Sequence, residues 1–435
     1  MAGKNPRMSM ISAATMGVGT MVGAGIFALL GEAAEIAGNL LYLPFIFAGL
    51  ISLLIGYSYA KLGAAFPSMG GPVEYLIQGF GTGISSGAFN VLYYFAMISG
   101  IAMVSRAFGN YAAALMPSGF TENFSLLFTG GIILAFTLLN MIGSSAVSHV
   151  EKWIVAIKVG ILVIFACLGL YYMQMDLLIP NRNDAWGDIL DATGIVFFAF
   201  TGFGIITNTA EDLSNPSKEL PIAIYLSIGS VLIIYMMICF ALIGNLSYSQ
   251  IVSSKEYALA EAAKPFLGNL GFKVMGVAAL LSTASAINAS LYGAANISFT
   301  IAKMGELPSF FERHLWKNST DGLIISSGLV LAMALFMDLD SIASVGSAVI
   351  LIIYTLINIG HLRIIKKTGA NKWMVIGALV IGLLVLGYFL NYKYHDDPLV
   401  IYLLLIAIGA GYLIEVVMQK VIGRRLTKGI KNTRQ

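Results

Sequence analysis

Apolar runs of about 20 residues fill this chain and leave room for little besides a membrane protein. A transmembrane α-helix needs about 20 predominantly apolar residues, and twelve such runs are present. These twelve spans cover roughly residues 10–37, 40–66, 84–116, 123–142, 149–173, 186–211, 220–244, 270–303, 321–337, 341–365, 372–391 and 398–421. No polar stretch is long enough for a soluble domain. The pattern predicts one transmembrane domain over residues 1–435, an all-α membrane protein with twelve transmembrane helices.

The composition excludes several other classes of protein. Of 435 residues, 58% are hydrophobic and only 11% are charged, against about 25% charged in an average soluble domain. Cys167 and Cys239 lie inside apolar runs and the four histidines are scattered, so we expect no disulfide framework, metal site or cofactor. The short basic N-terminus is followed by no small-residue cleavage site, which favours a retained first span over a signal peptide.

The distribution of basic residues predicts the orientation in the membrane. With the N-terminus inside, 18 of the 25 Lys and Arg residues lie in inner segments and six in outer segments, and Lys158 lies within a span. Because cytoplasmic loops are enriched in Lys and Arg, we expect a multi-pass protein of the cell membrane with both termini cytoplasmic. The basic tail after Val421 is expected near anionic lipid headgroups, not on nucleic acid. Residues 66–81 and 255–268 predict short helices between spans.

Glycines cluster in the middle of span one, in GTMVGAGIF (19–27), and again in span six, in FFAFTGFGIITN (197–208). A face for close helix packing would explain span one alone. The two glycine-weakened centres, near Gly23 and Gly202, are however about 179 residues apart, which is about the length of five spans with their loops. Interrupted segments at corresponding places in two halves are typical of inverted-repeat transporters.

Interrupting a helix in the membrane leaves backbone N–H and C=O groups without partners, at a cost of several kcal/mol each. The freed N–H groups suit a carboxylate, and the freed carbonyl groups suit an ammonium. A zwitterion needs both kinds of group, so the two interruptions predict a binding site for an amino acid.

Four motifs resemble those of the amino acid–polyamine–organocation (APC) superfamily of transporters. They are GTMVGAGIF, FPSMGGPVEY after span two, EDLSNPSKELP (211–221) after span six and KMGELP (303–308) after span eight. The resemblance implies a LeuT-type fold in which helices 1 and 6 are broken. Residues 10–173 would form the first repeat and residues 186–365 the second, inverted repeat, followed by two further helices over 372–421.

The resemblance also implies a substrate site at the two interruptions. The amides of Gly23, Ala24 and Gly25 would bind the carboxylate, and the carbonyls of Met21, Phe198 and Thr201, beside Gly202, would receive the ammonium. Phe198 or Phe200 would close over the substrate, with plain packing as the alternative for each ring. The middles of spans one, three, six, eight and ten hold no acidic residue. Small neutral amino acids therefore fit better than cationic ones, and acidic ones are not excluded.

Lys158 lies about nine residues into span five, roughly 13 Å deep at 1.5 Å per residue. Buried basic residues in membranes are rare and functional by default, although a structural tie to a carbonyl is an alternative. Desolvation lowers the pKa of a lysine, so a buried lysine can exchange its proton. The resemblance implies that Lys158 replaces a sodium ion, near the carbonyls of Gly19 and Val22 and the hydroxyls of Ser282, Thr283 and Ser285. We therefore expect sodium-independent H⁺ symport.

Other functions compete with proton symport. The chain could exchange one amino acid for another without net proton movement, and a channel is the alternative from another class. An enzyme is disfavoured because no nucleophile–base pair or metal cluster is evident. Arg106, Glu32 and Glu35 could pair at an outer gate or be solvated. Spans eleven and twelve could form a dimer face or meet lipid, which leaves the oligomeric state open.

Overall fold

A computed structural model describes residues 8–68, 70–116, 122–142, 147–179, 186–316, 319–421 and 423. Lys4, Arg7 and the basic tail from residue 424 onward, which were assigned to the cytoplasmic side and to lipid headgroups, lie outside these residues. The α-helices of the first half are α1 (Met10–Met21), α2 (Phe27–Ala37), α3 (Tyr42–Ala65), α4 (Pro72–Phe80), α5 (Ile84–Ala114), α6 (Glu122–Ile142) and α7 (Val147–Tyr171).

The second half continues the helical architecture. Its α-helices are α8 (Trp186–Phe197), α9 (Pro216–Ile243), α10 (Tyr248–Ser253), α11 (Ala258–Ala262), α12 (Lys264–Lys303), α13 (Asp321–Phe336), α14 (Leu339–Arg363), α15 (Ile365–Thr368), α16 (Lys372–Asp396) and α17 (Pro398–Val416). A small antiparallel pair, β1 (His314–Trp316) and β2 (Ser319–Thr320), lies between α12 and α13. Short 3₁₀ segments cover Gly38–Leu40, Met175–Leu178, Lys255–Tyr257 and Ser309–Glu312, and a π turn covers Val417–Val421.

The prediction of an all-α membrane protein with about twelve spans is confirmed. Within the described residues, ten helices are long and apolar enough to cross a membrane, and α1 and α13 are shorter apolar helices. Span one consists of α1 and α2 joined end to end, and α13 is span nine. The division into residues 10–173, 186–365 and 372–421 stays a prediction. The short helix expected at 66–81 corresponds to α4. The single helix expected at 255–268 is instead a 3₁₀ turn, α11 and the start of α12, which bends at Gly268 (φ 59°).

The two predicted interruptions are changes of hydrogen-bond register and not unwound segments. A π turn, Val22–Ile26, joins α1 to α2, and the residues flanking it keep right-handed helical dihedral angles. In span six, α8 continues as a 3₁₀ helix over Phe198–Asp212, far longer than the three or four residues usual for a 3₁₀ helix. Thr201, Thr207 and Thr209 each donate a hydroxyl to the carbonyl three residues earlier, at 2.8, 2.6 and 2.8 Å, which stabilises the tighter winding.

The most buried helices surround these interruptions. Span six, α5 and α14 are largely buried, whereas α6, α16 and α17 are largely exposed. Large apolar side chains such as Leu127, Leu384 and Leu413 cover the exposed helices, as a lipid-facing surface requires. The site predicted from the sequence therefore lies in the interior of the helix bundle.

Candidate functional site

Spans one and six touch at their interruptions. A methyl group added at Gly25 would lie 2.4 Å from the Cβ of Ala199 and 2.5 Å from its Cα. A methyl group at Gly202 would lie 2.8 Å from the backbone nitrogen of Met21. All three distances are shorter than a van der Waals contact, so glycine is required at both positions for the backbones to approach this closely.

Tyr235 of α9 links the two interruptions. Its hydroxyl lies 2.7 Å from the carbonyl oxygen of Met21 and 3.3 Å from that of Ala199. Its ring packs edge to face against Phe45 and Phe200, and the residue is fully buried. Tyr235 could not be predicted from the sequence, because a tyrosine inside an apolar run gives no sign that it bonds a backbone 214 residues away.

The three carbonyls predicted to receive a substrate ammonium each accept a hydroxyl from the chain itself. Tyr235 donates to Met21 O, the side chain of Thr201 donates to Phe198 O at 2.8 Å, and Tyr354 of α14 donates to Thr201 O at 3.1 Å. Internal donors therefore satisfy the carbonyls in this conformation. Because a carbonyl oxygen has two lone pairs, an ammonium would share these oxygens with the hydroxyls or displace them.

The two candidate aromatic rings have different surroundings. Phe198 lies between α5 and α14, where a methyl group added at Gly100 would be 2.8 Å from its ring and one at Gly346 would be 3.1 Å from it. Phe200 is fully buried, with its ring 6.5 Å from that of Phe45 and 5.2 Å from that of Tyr235. In this structure Phe200 packs against Phe45 and Tyr235, and which of the two rings covers a substrate stays a prediction.

The predicted carboxylate-binding amides lie in the π turn. Gly23, Ala24 and Gly25 occupy its three central positions. Gly23 faces the side chain of Lys158, because a methyl group added there would lie 2.8 Å from the Lys158 Nζ and 3.1 Å from the Cβ of Ala286. The π turn therefore contacts the predicted coupling lysine directly.

Lys158 reaches span one from α7. Its Nζ donates to the carbonyl oxygen of Gly19 at 2.7 Å, and only 3% of the residue is exposed. A cavity of about 40 Å³ lined by Ile154, Ile157, Ile161, Ala278 and Leu281 lies beside the lysine between α7 and α12. The apolar stem of Lys158 is therefore enclosed by these two helices, and its ammonium lies against the interrupted span.

The other residues expected around Lys158 lie on the neighbouring elements. Val22 is fully buried in the π turn. On α12, Thr283 donates its hydroxyl to Ala279 O of its own helix at 2.7 Å, and Ser285 is half-buried. Ser282 is fully buried, and its Oγ has no hydrogen-bond partner among the described residues, which leaves a polar atom available on this helix.

A charged cavity of about 380 Å³ opens on the side of the bundle where α2 ends. Its lining includes Glu32, Glu35, Ile36, Asp188, Tyr248, Lys255, Asp340, Tyr392, Lys393 and Asp396. On one wall Lys255 pairs with Glu35 at 2.7 Å and Glu32 at 3.4 Å. On the other wall Lys393 pairs with Asp340 at 3.0 Å and Asp396 at 3.4 Å.

Of the two alternatives for Glu32 and Glu35, pairing is the one observed, but the partner is Lys255 and not Arg106: Lys255 pairs with both carboxylates. The segment that carries Lys255 packs onto α2 at Gly31, where a methyl group would lie 1.9 Å from the carbonyl oxygen of Lys255. Burial lowers the pKa of Lys255, but its hydrogen bonds and its attraction to the two carboxylates outweigh burial and raise the pKa overall.

Aromatic side chains fill the opposite side of the bundle. The ring of Tyr59 lies 5.0 Å from that of Tyr354, 5.4 Å from Phe203 and 5.7 Å from Tyr75 of α4. All four residues are buried. The interruptions are therefore closed off on the side where α1 begins, while the charged cavity lies on the other side.

Comparison with known proteins identifies relatives over nearly the whole chain. Residues 8–414 match the family model described as amino acid permease. The chain is 37% identical over 429 residues to the uncharacterized protein MJ0609 of Methanocaldococcus jannaschii, covering 98% of both chains. It is 35% identical over 386 residues to the inner membrane transport protein YbaT of Escherichia coli, covering 88% of this chain and 90% of that one. It is 24% identical over 373 residues to the methylthioribose transporter of Bacillus subtilis, covering 81% of this chain and 79% of that one.

Proposed function

The chain belongs to the amino acid permease family of the APC superfamily, and from that premise we propose that it imports small neutral L-amino acids by H⁺ symport. Its family and its relatives are membrane transporters, so the chain is a transporter and not an enzyme. We place it in the cell membrane with both termini cytoplasmic, by the distribution of its basic residues.

The close contact of the two interrupted spans carries the proposal of an amino acid site. Backbone groups of span one and span six meet at the Gly25–Ala199 and Gly202–Met21 contacts, which brings amides and carbonyls together inside the bundle. The hydroxyls of Tyr235 and Tyr354 satisfy the carbonyls of Met21 and Thr201. The ammonium of a small zwitterion would take the place of these donors.

The choice of a neutral substrate rests on the charges near the interruptions. The described contacts of Gly25, Gly202 and Phe198 are with apolar, aromatic, hydroxyl and backbone groups, and none of these groups offers a carboxylate to a cationic side chain. A cationic side chain buried there would lack a partner, which is unfavourable by several kcal/mol. Phe198, between α5 and α14, is the residue we assign to limiting the size of the substrate side chain.

Proton coupling is assigned to Lys158 because its ammonium contacts the interrupted span. Nζ binds Gly19 O one turn before the π turn and lies against Gly23 within it. Loss of the proton would leave a neutral amine, and its hydrogen bond to Gly19 O would lose the positive charge that strengthens it. Protonation and the shape of the substrate site would thereby be linked through a few residues of span one. The same ammonium would repel Na⁺ from this position.

Purified protein in liposomes tests the proposal. Labelled amino acids that differ in size and charge are offered under separately imposed gradients of H⁺ and Na⁺. Proton symport predicts saturable uptake that an inward H⁺ gradient accelerates and that a Na⁺ gradient does not affect. Counterflow with no effect of an H⁺ gradient would favour the exchanger, and single-channel currents with uptake that does not saturate would favour a channel.

A further inference from the structure

A cluster of buried polar side chains lies far from Lys158, where α5 begins and α12 ends. Asn90 of α5 donates its Nδ2 to both carboxyl oxygens of Glu306, at 3.0 and 2.9 Å. Asn90 and Glu306, which follows the end of α12, are both fully buried. A carboxyl group bound by a neutral amide in the interior is costly if ionised.

A second carboxyl group lies on the same face of α5. The Glu415 side chain of α17 packs directly on Gly87, where an added methyl group would clash with it, and Gly87 precedes Asn90 by three residues. Glu415 is also fully buried, and one of its carboxyl oxygens accepts from Gln419. Two acidic side chains, one from the loop after α12 and one from α17, therefore lie against the same turn of α5.

The cluster has too few hydrogen-bond donors for its acceptors. Among the described residues, Oδ1 of Asn90 and Oε2 of Glu415 are buried without a hydrogen-bond partner. The carboxyl oxygens of Glu306 compete for one amide nitrogen. Buried acceptors of this kind normally have a hydrogen-bond donor. Protonating one carboxyl group is the smallest change that would supply such a donor.

The described cations near the cluster have exposed side chains and are not partners of either carboxylate. Nearby titratable and charged groups on the packed elements include Tyr94 of α5, whose hydroxyl bonds Ser326, and Asp321 of α13. Others are Tyr412 of α17, Lys303 of α12, Arg313 after the following 3₁₀ segment, Arg363 of α14 and Lys420 of the last π turn. Lys303 and Arg363 lie over the rings of Phe299 and Phe80. The pKa of Glu306 is raised to about 8, mainly by burial; the Asn90 hydrogen bonds act to lower it and the charge of Glu415 acts to raise it.

We propose that Glu306 and Glu415 form a proton-binding site that is separate from Lys158 and holds one proton between them at neutral pH. The proton supplies the missing donor and removes the repulsion between two carboxylates on one face of α5. Because Glu415 belongs to α17 and Glu306 follows α12, the proton also stabilises the packing of span twelve and of this loop on span three. The site requires no substrate and no role for Lys158.

Infrared spectroscopy of the full-length protein tests the site directly, through the carbonyl stretch that only protonated carboxyl groups show. In the wild-type protein a protonated-carboxyl band is expected at about pH 6 and is lost as the pH rises through about 8. Glu306→Gln and Glu415→Gln, which resemble the protonated acid in shape, should reduce this band. Glu261→Gln, just before the start of α12, removes a carboxylate that pairs, among the described residues, only with Lys264 and should leave the titrating band unchanged, and Lys158→Ala should retain it.

Asn90→Leu gives a second, independent measurement. It removes the amide that stabilises the carboxylate form of Glu306, so the band should persist to higher pH than in the wild-type protein. The proposal is overturned if neither glutamine variant alters the band, or if no protonated carboxyl group is present at about pH 6. Because the spectra are recorded without transport, a failure of proton symport would leave this result intact.

Discussion

The hydroxyl of Tyr235 lies 2.7 Å from the carbonyl oxygen of Met21, the last residue before the π turn of span one. The same hydroxyl lies 3.3 Å from the carbonyl oxygen of Ala199 in the 3₁₀ segment of span six. A single side chain of span seven thus bonds both places where the helical register changes. We infer that Tyr235 holds the two interruptions in register with each other.

Replacing Tyr235 by Phe should reduce transport without disrupting the fold. The ring contacts with Phe45 and Phe200 remain, but two buried carbonyls lose a donor, at a cost of about 1–3 kcal/mol. Uptake should fall by about tenfold or more, since about 1.4 kcal/mol corresponds to a factor of ten. Initial rates in liposomes, at matched amounts of folded protein, measure this. Tyr402→Phe on the exposed face of α17 should keep the wild-type rate, and a wild-type rate in Tyr235→Phe would contradict the role.

Replacing Lys158 by Ala should abolish uptake driven by a pH gradient. The change removes the ammonium that binds Gly19 O, so protonation can no longer alter span one. Counterflow of labelled for unlabelled substrate should persist, because the π turn and the 3₁₀ segment remain. Lys303→Ala, at the exposed end of α12, is the matched control and should retain proton-driven uptake. Unchanged proton-driven uptake in Lys158→Ala would refute the coupling role.

Much of the architecture could be predicted from the sequence because periodicity and composition report it directly. The twelve apolar runs correspond to the helices observed. The glycines of 19–27 and 197–208 mark where the register changes, since glycine weakens a helix. The structure also shows the contact between Lys158 and Gly19 that the motif resemblance implied. The roles of these residues in binding and coupling stay predictions.

Long-range polar contacts could not be predicted, because a single sequence does not say which helices are neighbours. Tyr235 and Tyr354 lie in apolar runs where a tyrosine usually indicates packing. Glu306 lies in the short loop after span eight, and its sequence does not reveal that a helix from early in the chain contacts it. The form of the interruptions was also hidden, since glycine content does not distinguish an unwound segment from a π turn or a 3₁₀ helix.

Replacing Gly25 by Ala should reduce transport and thermal stability far more than replacing Gly160 by Ala. At Gly25 the methyl group would lie 2.4 Å from the Cβ of Ala199 and 2.5 Å from its Cα, so the two spans must separate. Overpacking of this kind costs about 1–3 kcal/mol. We expect Gly25→Ala to lose most uptake and to melt at a lower temperature. Gly160→Ala on α7, where nothing lies within 4 Å, should match the wild-type protein in both. Equal behaviour of the two variants would contradict the contact.

The stability of the protein should fall as the pH rises from about 5 to about 8, and Glu306 should account for part of this fall. The pKa of Glu306 is raised from 4.5 to about 8, mainly by burial. Between these two pH values the folded protein keeps the proton on Glu306, whereas the unfolded chain has released it. Stability is then lost across this interval, by at most about 1.4 kcal/mol per pH unit, and levels off above it.

Melting temperatures in detergent at a series of pH values measure the effect. Glu306→Gln cannot titrate and should show a flatter profile, whereas Glu261→Gln, near the opposite end of α12, should follow the wild-type profile. A Glu306→Gln profile as steep as the wild-type one would mean that this carboxyl group does not hold the proton.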